Sequence, residues 1–520
     1  MRIAALDLGS NSFHLLVADV RADGGIEPVV RDKEMLRLGS QVAATGMVGE
    51  AATRSAVEVV ARFAALAESL DADRVVACGT AALRDARDSR RVIGRIEDRT
   101  GITARVISGE EEARLIFTAV QASVVIDPAP ALALDLGGGS LELMIGGPGG
   151  LQWSASVGLG VGRLTAELVR SDPPSTGDRR RLVRRVESEL APFREAITGF
   201  APAAAIGSSG TIGALIRLTA SRRGPTPVSV NQLTVDLDDL RELEAELLAH
   251  DSASRMTMPG VDARRADLLP AGIVTLVAIM ELAGVDRLTG SDWALREGMV
   301  LEAAGAPADT QSNLRHRAVV ELCQRCRWSE VHSRKVSRLA LELFDGTAER
   351  HGLAAEDREL LELGGLLHDI GDHVSTENHE QHSAYLIRHG RLRGFSPEEV
   401  DVLSCLARFH RRGAPKASFE PWVSLSPERR ERTTVLIALL QAADALDRGH
   451  GGPVRDVTVR SSGGPLIEVE VDADGDIALE RYTLRKKGEL LERVFGCRIE
   501  LVESTELADF PPPLGTQLVG

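Results

Sequence analysis

The sequence predicts an α/β core made of two duplicated lobes, followed by a mainly α-helical domain that ends in a small α+β segment. Three observations lead there. Residues 5–17 recur at 133–145; strands and amphipathic helices alternate through the first three hundred residues; and ten of the twelve histidines lie beyond residue 315. A chain of 520 residues exceeds one hydrophobic core, so several domains are expected. The boundaries expected are 1–125 for the first lobe, 126–305 for the second, 312–505 for the helical domain with its α+β extension, and 506–520 for a flexible tail.

The repeat organises the core. Ala5-Leu6-Asp7-Leu8-Gly9-Ser10-Asn11-Ser12-Phe13-His14-Leu15-Leu16-Val17 matches Ala133-Leu134-Asp135-Leu136-Gly137-Gly138-Gly139-Ser140-Leu141-Glu142-Leu143-Met144-Ile145 at seven of thirteen positions. Each copy is an apolar strand ending in Asp, a Gly/Ser turn and an alternating apolar strand, which reads as a β-hairpin. Glycine and serine let backbone N–H groups converge on a phosphate, and the Asp at the strand end can hold a cation or position water. Ser10, Asn11, Ser12 and Gly137, Gly138, Gly139, Ser140 are therefore candidate phosphate contacts. A tight hairpin needs the same turn with no ligand, but recurrence half a domain apart is not something strand pairing requires.

Between the copies an amphipathic helix is expected over 50–70, with strands at 74–78 and 104–107. The second lobe adds a third turn, Gly207-Ser208-Ser209-Gly210-Thr211, after the apolar strand 203–206 and before a helix. Helix N-termini attract anions, so Ser208, Ser209 and Gly210 join the candidates. The apolar stretch 271–280 follows Pro270 and is too short to cross a bilayer.

Beyond residue 315, apolar residues recur at helical spacing over 331–344, 359–367, 382–387, 400–409 and 435–446. These helices carry metal-type residues near their ends or on the apolar face: His332, His368-Asp369, His410 and Asp444, with His382 a further candidate. Short alternating runs at 454–459 and 466–471, then a helix over about 481–495, form the α+β end. Pro511-Pro512-Pro513 and Gly515 mark the tail.

The bulk numbers bound the function. With 43% hydrophobic and 26% charged residues, extensive disorder is excluded. A net charge of −15 argues against nonspecific nucleic-acid binding. A polyanionic ligand would need local positive charge, for which Arg408, Arg411, Arg412 and Lys416 are candidates. Five scattered cysteines make no disulfide framework. Cys323-x-x-Cys326 is half a zinc knuckle without a second pair, and helix packing is the preferred account. Asp7, Asn11 and His14 interrupt the first apolar run before a signal-peptide core forms, so a cytoplasmic protein with no membrane partner is expected.

Five ordered motifs now carry a resemblance: Asp7-Leu8-Gly9-Ser10-Asn11-Ser12, Gly79-Thr80-Ala81-Ala82-Leu83-Arg84, Ser108-Gly109-Glu110-Glu111-Glu112-Ala113-Arg114, Asp135-Leu136-Gly137-Gly138-Gly139-Ser140 and Gly207-Ser208-Ser209-Gly210-Thr211. The chain resembles the exopolyphosphatase/guanosine pentaphosphate phosphohydrolase family, within the superfamily of acetate and sugar kinases, heat-shock chaperones and actin. The resemblance implies an actin-like ATPase, ribonuclease H-like core. It implies Glu112 as catalytic base, Asp135 and Glu142 as Mg²⁺ ligands with Asp7 across the cleft, and Arg84 neutralising phosphate charge. A run of glutamates at a helix start also suits the helix dipole, which accounts for Glu110 and Glu111. A salt bridge to a nearby acid is Arg84's other role.

The order His332, His368-Asp369, Asp444 resembles the HD phosphohydrolase superfamily, which implies a second divalent metal. Imidazole and carboxylate together do not name the ion. Exopolyphosphatase-like proteins are understood to carry a degraded form of this domain, so the intact set is a departure that permits a second hydrolytic site. Arg334, Lys335, Arg338, Arg408, Arg411 and Arg412 would guide a phosphate chain, or form a solvated basic face.

The function expected is Mg²⁺-dependent release of orthophosphate from inorganic polyphosphate. The alternatives are hydrolysis of guanosine pentaphosphate, a non-hydrolytic sensor of polyphosphate or alarmone, and a kinase of the same superfamily. A homodimer is the expected assembly, although no motif fixes it.

Overall fold

Strands β1 (Arg2–Leu8) and β2 (Ser12–Val20) pair antiparallel with Asp7 opposite His14, and β6 (Ala131–Leu136) and β7 (Leu141–Gly147) pair with Asp135 opposite Glu142. The duplicated segments are thus duplicated hairpins, as their alternation predicts. A computed structural model describes residues 1–21, 25–305, 313–461 and 464–503; the expected tail 506–520 lies outside the described residues.

The repetition extends to whole sheets. β3 (Ile26–Met35), β4 (Arg74–Gly79) and β5 (Ala104–Val106) complete the first, in the order β3-β2-β1-β4-β5. β8 (Gly150–Val157), β9 (Ala204–Ser208), β10 (Thr234–Asp236) and β11 (Arg287–Gly290) complete the second, in the order β10-β11-β9-β6-β7-β8. In each, the first hairpin strand has an antiparallel neighbour on one side and a parallel one, β4 or β9, on the other. Parallel neighbours need helical crossovers, and the amphipathic helix Glu50–Ser69 supplies one, burying Ala56, Val60, Phe63 and Ala67. The helix Leu269–Ala283 is apolar all round and buried along nearly its whole length, the signature of a core helix. Among the described residues no helix is long and apolar enough to cross a membrane.

The chain divides into two compact units: residues 1–318 with 393–397, and 319–392 with 398 onward. Both lobes lie in the first. The division falls within the helix Leu314–Arg325.

The second unit is built on helices Glu330–Gly346, Ala355–Leu367, His379–His389, Pro397–Phe409 and Pro427–Ala445. Its end differs from expectation. The single helix predicted over 481–495 is two, Ala478–Lys487 and Glu489–Phe495, separated by Gly488. Beyond β12 (Val454–Ser461) and β13 (Leu466–Ala473), an unpredicted β14 (Arg498–Glu503) pairs parallel with β13. Its sequence, Arg-Ile-Glu-Leu-Val-Glu, alternates over too few residues to stand out. All five cysteines are buried and free, and the Cys323 thiol donates to the Leu366 carbonyl at 3.5 Å, so the Cys323/Cys326 pair packs helices.

One buried acid stabilises the second lobe. Ser175 caps the helix Thr176–Leu190, and Asp178 closes the capping box while accepting from Ser171 Oγ, Ser175 and the Arg170 amide. Burial by itself raises its pKa, but these hydrogen bonds together hold it well below the ordinary 3.8. A depressed folded-state pKa gives stability that is full above the unfolded value and lost as pH falls through the folded one. Asp178→Asn is therefore expected to cost about 2 kcal/mol at pH 7. Thermal melts should show the gap from wild type narrowing below about pH 4; a gap constant down to acid pH contradicts the assignment.

Candidate active site

The two hairpin turns meet. A Cβ on Gly138 would lie 2.4 Å from Asn11 Cγ, and one on Gly139 would lie 2.5 Å from Ser10 Oγ. Close approach is what glycine permits here. Between the lobes this leaves a cleft of about 560 Å³, walled by both turns and by the turn at 209–211. Ser10, Asn11, Ser12, Gly137, Gly138, Gly139, Ser140, Ser209 and Gly210 line it, together with Asp7, Glu112, Asp135 and Glu142.

Two of the expected contacts are used differently. Ser208 is buried behind the wall, where its hydroxyl donates to Asp135 at 2.6 Å; the strand β9 runs two residues further than predicted and takes Ser208 into the sheet. Ser10 Oγ accepts from the Ala82 amide at 3.0 Å, fixing the first turn to the short helix Ala81–Asp85. Ser209 adopts φ +82°, a left-handed conformation costly for a residue with a Cβ, at the start of the helix Ser209–Ser221.

Strand periodicity explains the acids. Side chains opposite one another across adjacent strands share a face, so one row runs Asp7, His14, Lys33 over β1, β2 and β3, and its counterpart runs Asp135, Glu142, Ser156 over β6, β7 and β8. Duplication places the rows, and divergence sets their charge. The first carries a base and a cation, whereas the second is acidic.

The three consecutive glutamates separate by helical phase. Ser108 caps the helix Gly109–Gln121 by accepting from the Glu111 amide. Glu110 is exposed, Glu111 pairs with Arg105 at 2.9 Å, and Glu112 turns inward, 6% exposed, to Arg84 at 3.0 Å. Arg84 Nη1 also donates to the Ile107 carbonyl. Arg84 thus makes the salt bridge that was its other reading, and it reaches the cleft through Glu112.

Burial is the main cause of every shift in this cluster. It pushes Asp7 up to about 7, against Arg296, and Glu112 up to about 7, against its hydrogen bond from Arg84. Asp135 is raised to about 6, with Ser208 and Arg296 opposing, and Glu142 goes well above its ordinary value, helped by Glu112 and Asp135. Three buried carboxylates, Glu112, Asp135 and Glu142, with the half-buried Asp7 in the same cleft, suit a hard divalent cation with oxygen ligands. What favours ionised Glu142 is only hydroxyls, Ser140 and Ser156.

The sequence reading missed the cations that face these acids. Lys33, Arg264, Arg265 and Arg296 line the same cleft. Arg265 lies over the third turn, where a Cβ on Gly210 would meet its Nη2 at 2.4 Å. Burial lowers Lys33 to about 8, with Arg265 and Arg264 adding to it. His14, lowered to about 2 by burial and then Arg296, is neutral and bonds Ser12 Oγ at 2.7 Å. No motif marks these residues, although the Lys33 position follows from the strand register.

In the second unit, His332, His368, Asp369, Asp444 and His410 converge, as the sequence order implies. His332 Nε2 lies 3.2 Å from His368 Nε2, 3.4 Å from Asp369 and 3.8 Å from Asp444. His382 is not among these groups. His379, one turn earlier on the same helix, stands beside Asp369 and His410 in its place. Also unforeseen are Asp447, which accepts from His332 Nδ1 at 2.8 Å, His450 stacked on His332, and Lys487, which pairs with Asp444; Lys335, expected to guide a phosphate chain, pairs with Asp447.

Comparison with known proteins bears on both units. Residues 16–306 match the model of the Ppx/GppA phosphatase family, and residues 314–464 match that of Ppx/GppA phosphatase, domain III. The chain is 33% identical over 312 residues to exopolyphosphatase 1 of Mycobacterium tuberculosis, an alignment covering 59% of this chain and 90% of that one. It is 28% identical over 407 residues to a guanosine-5'-triphosphate,3'-diphosphate pyrophosphatase of Photobacterium profundum, covering 78% and 79%. Among solved structures, an exopolyphosphatase from Cytophaga hutchinsonii superposes with TM-score 0.56 at 29% identity, covering 59% of this chain and 99% of that one. An Aquifex aeolicus Ppx/GppA family member gives 0.51 at 27%, covering 58% and 97%.

Proposed function

The chain belongs to the Ppx/GppA phosphatase family and is a hydrolase, and from that premise we propose that it is an exopolyphosphatase releasing terminal orthophosphate from inorganic polyphosphate. The observation that carries this reading is the cleft itself. One buried acid, Glu112, stands among three other carboxylates and opposite the cations Lys33, Arg264, Arg265 and Arg296.

Hydrolysis of a phosphoanhydride depends mostly on positioning and charge neutralisation, with a base to orient or deprotonate the attacking water. Glu112 fills that role; burial holds it near the pH at which a base works best, and Arg84 fixes its carboxylate. The turns 9–12 and 137–140 orient the terminal phosphate through backbone N–H groups, as closely opposed glycines allow. Asp135 and Glu142 hold Mg²⁺, with Asp7 close by. When bound, that ion offsets the charge of the phosphoryl oxygens. The basic wall takes the rest of the chain. Among the described residues that line the cleft there is no Phe, Trp or Tyr on which a guanine base would stack, and this favours a bare phosphate chain over guanosine pentaphosphate.

His332, His368, Asp369 and Asp444 hold a divalent ion of their own in the second unit. Each first-named imidazole has its Nδ1 on an oxygen, Asp447 or the Gly365 carbonyl, which orients Nε2 inward as metal-ligating histidines require. Free thiols in all five buried cysteines accord with a reducing compartment, the cytoplasm.

The test is phosphate release from long polyphosphate and from guanosine pentaphosphate, with Mg²⁺ and with excess chelator. Long polyphosphate is expected to give a kcat/KM at least about tenfold higher, since the site is built for one and not the other. Chelation should abolish release and Mg²⁺ restore it. A preference for guanosine pentaphosphate transfers the assignment to that substrate, and full activity in chelator removes the metal.

A further inference from the structure

The connection 250–268 runs between the helices Leu237–Ala249 and Leu269–Ala283 and carries Arg264 and Arg265 of the cleft's basic wall. It has almost no apolar core of its own. Only Arg255 and Ala266 are buried in it, at 2% and 1% exposed, while Met258, Val261 and Leu268 pack partly against the second lobe's core. A connection this long, with only short helical turns in it, needs some other means of being held in place. A buried guanidinium is tolerated where its donors are used, and the bonds of Arg255 show what holds this segment.

Arg255 ties three places together. Its Nη1 donates to the Leu247 carbonyl at 3.2 Å and the His250 carbonyl at 2.5 Å, its Nη2 to Asp172 Oδ1 at 2.9 Å, and its Nε to the Ala266 carbonyl at 2.9 Å. The first two acceptors are carbonyls at the C-terminal end of the helix Leu237–Ala249, an end that a cation suits. Asp172 Oδ2 accepts in turn from the Ser252 amide at 2.8 Å. A planar fork fixes these directions together, as an ammonium does not. Ala266 directly follows the turn Ala263–Arg265. Arg265 has no comparable anchor of its own: among the described residues no carboxylate or carbonyl bonds its guanidinium. Its place over Gly210 is therefore set by its backbone, one residue from the carbonyl that Arg255 holds.

We propose that Arg255 is a positioning residue for substrate binding: by holding the Ala266 carbonyl it sets the backbone from which Arg265 faces the phosphate chain. This rests on the reading that the basic wall takes polyphosphate. Arg255 does not line the cleft and acts through Arg265 alone. Without it three carbonyls lose a charged donor, and the turn shifts on its lobe. The effect falls on KM, because Glu112 and the glycine turns keep their places and kcat is spared.

The test is a double-mutant cycle in the full chain, reading kcat and KM for phosphate release from long polyphosphate. Arg265→Ala and Arg255→Met are each expected to raise KM about tenfold with kcat within about twofold of wild type. The double variant should raise KM no further than either alone, since one acts through the other. A KM rise in Arg255→Met that adds to that of Arg265→Ala, or a fall in kcat in its place, shows a role in the fold only and refutes the proposal. So does an unchanged KM in Arg255→Met beside a raised one in Arg265→Ala, which leaves the basic wall standing. An unchanged KM in Arg265→Ala instead removes the wall from polyphosphate binding, and the positioning role with it. Should Arg255→Met fail to fold, Asp172→Ala takes its place, losing one half-exposed acceptor while the three carbonyls stay paired. It is expected to raise KM about threefold in the wild-type background and not at all beside Arg265→Ala; equal rises in both backgrounds, or none in either, overturn the assignment.

Discussion

Glu112→Gln is expected to lower kcat for phosphate release by about 10²–10⁴-fold, with KM changed little. The substitution conserves shape, and the amide oxygen still accepts from Arg84, so the inward geometry of the helix Gly109–Gln121 survives. What disappears is the capacity to take a proton from water. Asp135 and Glu142 keep their places on β6 and β7, so Mg²⁺ binding should persist, which distinguishes a lost base from a lost metal. A variant retaining kcat within about threefold of wild type would move the base elsewhere in the acidic cluster. Single-turnover phosphate release, with Mg²⁺ affinity measured alongside, checks both halves.

Gly160→Ala should be nearly as damaging, for a purely steric reason. Gly160 has φ −63°, a conformation alanine adopts freely, so no backbone strain is involved. Its added Cβ, however, would fall 2.3 Å from the carbonyl carbon and 2.4 Å from the nitrogen of Gly139. Those are backbone atoms and cannot rotate away. The 137–140 turn must shift, carrying the phosphate-facing amides with it, and a displacement near 1 Å is enough to cost about 10²-fold in rate. The loss should appear in kcat/KM on polyphosphate, with the thermal melt of the chain little changed. Activity within about twofold of wild type would show that this turn does not orient the reacting phosphate.

Legibility from the sequence followed the range of the interaction. The duplicated hairpins were readable because a strand has a period of two, so Asp7 and Asp135 at strand ends, and Glu142 across from Asp135, follow from alternation and turn length. Glu112 was readable only through its motif; three adjacent glutamates look alike until packing turns one inward. No motif marked the cleft cations. Lys33, Arg264, Arg265 and Arg296 come from separate parts of the chain, and their convergence depends on how the two sheets close. With the chain at −15 overall, the positive charge sought at 408–416 has a counterpart inside the cleft itself.

His379 and His382 show the same limit within one helix. Residues three apart lie on nearly the same face, so spacing cannot choose between them; position along the helix axis chooses, and that is set by the start of the helix after Asn378, which is held at φ +54°.

The amino-acid sequence by itself determined which acids end strands, which turns lack side chains and how many histidines enter the helical unit, because these depend on neighbours along the chain. The closing of two sheets and the depth of one helix decided which charges face those acids and which imidazoles meet at Asp369, because burial and electrostatics act through space between residues that share no sequence neighbourhood.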